Sequence, residues 1–153
     1  MEPEKPSKPR IFIDADVLFA GSASPDEHSA GNVILRMAEL TLIDAITSNQ
    51  VITEVERNIL NKIPRALPAF QLLVSRSSKV VVDPEPAEME AHIGSADPAD
   101  LPILIAAKRE GCKLLATFNI RHYQPGIPSV TVLKPGDLVL RVRYLLSQLS
   151  DER

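Results

Sequence analysis

Short apolar runs alternate with longer segments of helical periodicity along this chain, and no other feature constrains its fold as strongly. The apolar runs, rich in β-branched residues, predict strands over residues 10–13, 42–46, 79–82, 113–116 and 129–133. Apolar spacings of three and four predict helices over residues 30–40, 49–63, 66–74, 87–93, 100–111 and 136–149. Strands and helices in alternation favour a parallel sheet covered on both faces. We therefore expect an α/β fold with three layers, α/β/α, around a parallel sheet of about five strands.

The composition fits one cytoplasmic domain. With 153 residues, of which 44% are hydrophobic, the chain can bury a single core, expected over residues 10–150. Residues 1–9 are polar, charged and proline-rich, which predicts a flexible tail and not a secretory signal. No apolar run approaches the roughly 18 residues of a membrane span. The single cysteine, Cys112, has no disulfide partner and fits a core position in a reducing cytoplasm.

The charge balance limits how this protein can bind a polyanion. The net charge of −3 and the isoelectric point near 5.6 argue against binding nucleic acid through bulk electrostatics. A substrate that carries phosphate would need local help, which metal ions bound to acidic residues can provide.

Polar side chains follow two of the predicted strands at the point where each strand ends. Asp14 and Asp16 end the apolar run "RIFIDAD", and Thr117 and Asn119 follow "KLLA". Functional residues in parallel sheets gather outside the carboxyl ends of the strands, near the switch in strand order. An unpaired buried carboxylate is costly, so these acids predict a site at that edge of the sheet.

Three more acids can reach the same edge. Glu54 lies in the predicted helix over residues 49–63, beside an apolar stripe such as Val51, Val55 and Ile59. Asp97 and Asp100 precede "LPILIAA", where Asp100 alone fits an ordinary helix cap. Together with Asp14 and Asn119, these side chains would repel one another unless a cation offset their charge. Mg²⁺ and Mn²⁺ prefer such oxygen ligands. The role of His122, in "TFNIRHY", stays open.

Three segments together resemble the PIN-domain ribonucleases. They are "IFIDADVLFAG", "TSNQVITEVERNI" and "DPADLPILIAAKREGCKLLATFNIRHY", and the resemblance spans about residues 10 to 135. Within that family, the chain resembles in particular the branch of VapC-related toxins that belong to toxin–antitoxin pairs. The resemblance implies a metal-dependent endoribonuclease that hydrolyses RNA phosphodiester bonds, with one or two Mg²⁺ or Mn²⁺ ions. It also implies a homodimer and an antitoxin protein that covers the pocket.

The same resemblance implies the roles of individual residues. The acidic pocket maps to Asp14, Glu54, Asp100 and Asn119, and Thr117 matches the auxiliary hydroxyl position. Beside the mapped residues, Asp97 lies three residues before Asp100 as a further metal ligand, and Arg121 is an auxiliary residue for the phosphate backbone. Two positions depart from the usual pattern. Asp16 replaces the usual Asn or Ser, and it either adds charge or turns aside to bind backbone. Asn119 replaces an acid, which lowers the formal charge of the pocket.

Two other interpretations remain open at this stage. Phosphoacceptor receiver domains place acids, a hydroxyl and a Lys-Pro pair after successive strands, as do Asp14, Asp16, Asp83, Thr117, Lys134 and Pro135 here. That interpretation leaves Glu54, Asp100 and Asn119 unexplained. The other alternative is a catalytically silent PIN fold that binds RNA or protein, because metal ligands alone do not establish turnover.

Overall fold

A computed structural model describes residues 8–23 and 29–150, so residues 1–7 of the expected tail lie outside the described residues. The strands are β1 (Arg10–Ile13), β2 (Asp44–Ser48), β3 (Ser78–Val81), β4 (Leu114–Ala116) and β5 (Thr131–Leu133). The helices are α1 (Ala15–Ala23), α2 (Ala30–Glu39), α3 (Asn49–Lys62), α4 (Leu67–Ser77), α5 (Pro86–Met89), α6 (Leu101–Arg109) and α7 (Pro135–Ser150). Short 3₁₀ turns cover Pro64–Ala66, Glu90–His92 and Ile120–Tyr123.

All five strands pair in parallel, in the order β3-β2-β1-β4-β5. The chain runs outward from β1 to β2 and β3, and then returns to place β4 on the other side of β1. The strand order therefore switches between β1 and β4. Receiver domains have the order 2-1-3-4-5. The topology thus excludes the receiver interpretation.

Helices cover the sheet in the expected α/β/α layers. Helix α2 packs against α1, α4 and α7, whereas α6 packs against α5 and against strands β2 and β4. The central strands are almost wholly buried, which explains their continuous apolar sequences "IFI" and "LLA". Cys112 is buried in the same core, as predicted. Within the described residues, no helix is long and apolar enough to span a membrane.

Strand β2 begins later than predicted because the residues before it still complete the end of α2. The Leu42 N–H donates to the Met37 carbonyl at 2.9 Å, and Thr41 adopts a left-handed backbone with φ of 63°. Residues 40–42 therefore complete the end of the helix, and pairing starts at Asp44.

Helix α1 has no counterpart among the predicted helices. Its buried positions are Ala15, Val17, Leu18 and Gly21, but none of its residues is exposed, so the segment lacks the polar face against which one apolar stripe stands out. The helix packs closely on α2: a Cβ added to Gly21 would lie 2.9 Å from the Gly31 backbone. Only glycine at residue 21 allows α1 to come this close to α2. This contact holds α1 in its position directly after β1.

Candidate metal centre

Asp14 lies at the end of β1 and is 7% exposed. Three donors of the chain satisfy its carboxylate. The Ala15 N–H donates to Oδ1 at 2.7 Å, and the hydroxyls of Thr117 and Tyr123 donate to Oδ2 at 2.9 and 2.7 Å. A carboxylate accepts about four hydrogen bonds. One lone pair of Oδ1 therefore remains for another ligand.

Asp16 lies in the first turn of α1 and faces the loop after β4. Its Oδ1 accepts the Val17 N–H at 2.7 Å, and its Oδ2 accepts the Phe118 N–H at 3.0 Å. The Asn119 side-chain amide also donates to Oδ2, at 3.1 Å. Asp16 thus turns to bind backbone, the second of the two alternatives posed by the sequence. Burial, followed by repulsion from Asp14, raises the pKa of Asp16 to about 6.

Glu54 extends from α3 towards the same acids. Ser48 caps this helix by accepting the Val51 N–H at 3.4 Å, and Val51, Val55 and Ile59 form its buried face, as predicted. Glu54 itself is exposed at the edge of that face. Desolvation raises the pKa of its carboxyl, and the charges of Asp14 and Asp100 raise it further.

The start of α3 is tied to the segment that carries Asp97 and Asp100. The Gln50 side-chain amide donates to the Ala99 carbonyl at 2.9 Å, while the Gln50 backbone N–H donates to Asp83 Oδ1 at 2.9 Å. Asp83, one of the acids on which the receiver interpretation relied, therefore binds the first turn of a helix.

Asp100 occupies the N-cap position of α6, yet its side chain makes no capping hydrogen bond. Its Oδ2 instead lies 3.3 Å from His122 Nδ1. Burial and the charge of Asp14 raise the pKa of Asp100, and His122 opposes that rise. The helix-cap interpretation of this side chain thus fails, since its carboxylate pairs with His122 and not with the backbone N–H groups of the helix.

Asp97, Asp100 and His122 form the tightest group of candidate metal ligands. Each offers one ligand atom, and these atoms all lie within 4.8 Å of one another. Among the described residues, Asp14 and Glu54 stand outside that group, although the charge of Asp14 acts on both Asp100 and Glu54. The sequence identified both aspartates and left His122 open.

The side chains present fit a hard divalent cation. Burial and the charge of Asp14 raise the pKa of Glu54 and of Asp100, and a cation between these carboxylates would relieve their repulsion. Asp14 keeps a free lone pair on Oδ1, and Asp100 is not engaged in capping. Asn119 uses its amide nitrogen on Asp16, so its amide oxygen is the atom available for a ligand.

Sequence reasoning missed Tyr123. This residue ends the 3₁₀ turn after β4, is 2% exposed and donates to an acid 109 residues earlier in the chain. Burial and the nearby carboxylates raise the pKa of its hydroxyl, which therefore stays protonated as a donor. A buried tyrosine needs a partner for its hydroxyl, but the sequence does not tell which one.

Fold and site together define an α/β protein with a candidate metal centre at its topological switch point. A family model described as PIN domain matches residues 10–121, so the chain belongs to the PIN-domain family. No curated protein sequence matches it.

Two solved structures share the fold. One is VapBC2 from Rickettsia felis bound to a DNA fragment from the promoter, with a TM-score of 0.61, 15% identity, and coverage of 82% of this chain and 98% of that chain. The other is VapC20 from Mycobacterium tuberculosis, a sarcin-ricin loop cleaving toxin, with a TM-score of 0.50, 16% identity, and coverage of 69% and 86%. At such identities the likeness concerns the fold alone.

The Tyr123→Phe variant tests how much the hydroxyl contributes to holding Asp14. It removes one donor to a buried charged acceptor, so we expect the free energy of unfolding to fall by about 1.5 to 3 kcal/mol. Urea denaturation in EDTA measures this change. Tyr144→Phe, which alters an exposed tyrosine on α7, is the matched control and should change stability by less than about 0.5 kcal/mol. Equal effects of the two variants would contradict this role.

The raised pKa of Asp16 predicts a pH dependence of stability. The folded state binds this proton more tightly than the unfolded state, so lowering the pH from 8 to about 4, through the folded and towards the unfolded pKa, stabilises the metal-free protein. Asp16→Asn cannot titrate and should gain about 1 to 2 kcal/mol less over that range, after allowance for solvent screening. Urea denaturation at several pH values in EDTA measures the difference. Asp137→Asn, on the exposed start of α7, should keep the wild-type pH slope; an identical slope in Asp16→Asn would refute the prediction.

Proposed function

We propose that this PIN-domain protein is a metal-dependent endoribonuclease and the toxin of a toxin–antitoxin pair. One observation carries the proposal: Asp16, Glu54 and Asp100 come from separate segments of the chain, and burial together with the charge of Asp14 raises the pKa of each. Acids that act on one another at a switch point form a site for a hard cation. Membership of the PIN-domain family supports nuclease chemistry there.

Each residue has a distinct role in this proposal. Asp14 and Asp100 are the main ligands of Mg²⁺ or Mn²⁺, with Glu54, Asn119 and Asp97 completing the set. When bound, such a cation supplies positive charge that stabilises the phosphodiester as negative charge develops on it.

The remaining steps use groups of the chain. Glu54 is exposed and has a raised pKa, so one of its carboxylate oxygens is suited to accept the proton of the attacking water. Thr117 and Tyr123 hold Asp14 Oδ2, which keeps Oδ1 in a fixed direction. Arg121, exposed after β4, is available for the phosphate backbone of RNA.

The first test is calorimetric titration of Mn²⁺ into the wild-type protein and into Asp100→Asn, combined with an RNA cleavage assay. Loss of a ligand should weaken Mn²⁺ binding at least about tenfold and reduce cleavage by about a hundredfold or more. EDTA should abolish cleavage. Asp83→Asn is the matched control, since Asp83 binds the first turn of α3, and it should keep wild-type binding and cleavage.

Three outcomes would be informative against the proposal. Equal Mn²⁺ binding by Asp100→Asn and the wild type would remove Asp100 from the site. Cleavage that persists in EDTA would refute metal dependence. Mn²⁺ binding without cleavage of any RNA would favour the alternative of a silent PIN-fold binding module.

The partners follow from the same proposal. An antitoxin encoded beside this gene should suppress cleavage when added in equal amounts to the purified protein. Exposed apolar residues on α7, among them Leu140, Tyr144 and Leu149, support the expected homodimer. Light scattering of the purified protein measures its mass, and a monomer at micromolar concentration would count against the dimer.

A further inference from the structure

A cavity of about 510 Å³ lies beside the acidic residues, where β4 and β5 end. It is lined by Phe118, Asn119, Ile120, Arg121, His122 and Lys134. Two of these residues also contact the acids: Asn119 donates to Asp16, and His122 pairs with Asp100. The cavity and the candidate metal centre therefore share a wall. Within the part of the chain that the structure describes, no acidic residue lines the cavity itself.

Phe118 gives this cavity an aromatic surface. Its side chain is 48% exposed, although it directly follows the fully buried Thr117. Its backbone N–H donates to Asp16 Oδ2 at 3.0 Å, which fixes the position of this residue relative to the acids. Aromatic faces stack on unpaired bases, and such stacking tolerates any base.

Two free cations stand beside the ring. Arg121 and Lys134 are both exposed, and neither has an ion-pair partner among the described residues. The cavity thus combines a flat apolar ring with two positive charges, in a chain whose net charge is −3. A nucleotide matches both features, because its base fits the ring and its phosphate fits the cations.

We propose that this nucleotide cavity holds the nucleotide next to the scissile phosphate of single-stranded RNA. The base stacks on Phe118, and the adjoining phosphate pairs with Arg121 and Lys134. The inference rests on the proposed function and adds a substrate requirement to it. A base inside a duplex has no free face, so the substrate must be unpaired at this nucleotide.

Fluorescence anisotropy tests the stacking contact. The probe is a short fluorescein-labelled single-stranded RNA, with Ca²⁺ present to offset the acidic charge; a gel confirms that the probe stays intact. Phe118→Ala and Phe118→Leu should both bind about five- to tenfold more weakly, because leucine restores apolar area without a stacking face. Phe118→Tyr should bind as the wild type does. The control Leu72→Ala, which removes an exposed apolar side chain from α4, should leave binding unchanged.

An abasic scan locates the contact along the RNA. Removing the base that stacks on Phe118 should weaken wild-type binding, and at that position Phe118→Ala should cause no further loss. Lys134→Ala should weaken binding and reduce its salt dependence by about one phosphate contact. Lys113→Ala, an exposed lysine that precedes β4 at the opposite end of the sheet, is the charge control.

The outcomes separate this inference from the proposed function. If the wild type cleaves RNA in Mn²⁺ and Phe118→Ala binds RNA as tightly as the wild type does, the nucleotide cavity alone is overturned. Binding that depends on Phe118, without cleavage, would support the cavity and overturn the ribonuclease. Preference for a duplex, or no RNA binding by the wild type, would overturn the inference.

Discussion

The charge of Asp14, placed at the end of a buried strand, is the constraint on which the rest of the site depends. A carboxylate in that position is costly unless donors surround it. The donors come from the first turn of α1, from Thr117 after β4 and from Tyr123 in the following 3₁₀ turn. Satisfying one charge therefore fixes three parts of the chain. The same parts carry Asp16, Asn119 and His122, so their positions follow from that of Asp14.

Part of the repulsion between the acids is offset by the fold itself. Asp14 and Asp16 lie at the N-terminus of α1, and Asp100 lies at the N-terminus of α6, where the helix dipole favours negative charge. His122 also lowers the pKa of Asp100. Burial and the remaining repulsion nevertheless raise the pKa values of Glu54 and Asp100. That remaining repulsion is the physical reason to expect a cation. Without a bound cation, the acidic residues destabilise the fold as the pH rises.

The sequence predicted those features that depend on burial or on local patterns. Strands β1 and β4 are buried on both faces, so their apolar runs located them well, and Ser48 as a cap of α3 followed from local chemistry. Helix α1 was missed because a helix buried on several sides has no single apolar stripe. Tyr123 was missed because its partner is 109 residues away. Sequence periodicity predicts strands but not the order in which they pair, so the strand order came from the structure.

Asp100 links the acidic residues of the candidate metal centre to the wall of the nucleotide cavity. At an N-cap, a capping aspartate typically contributes about 1 kcal/mol to stability, and this chain forgoes that contribution. Its carboxylate bonds to His122 instead, while the His122 carbonyl accepts the Asp97 N–H at 2.8 Å. The acidic loop and the wall of the nucleotide cavity are thus joined by both side chain and backbone. In the proposed function, an acidic protein then binds a polyanion by separating its charges: carboxylates hold the cation, and Arg121 and Lys134 line the adjoining cavity.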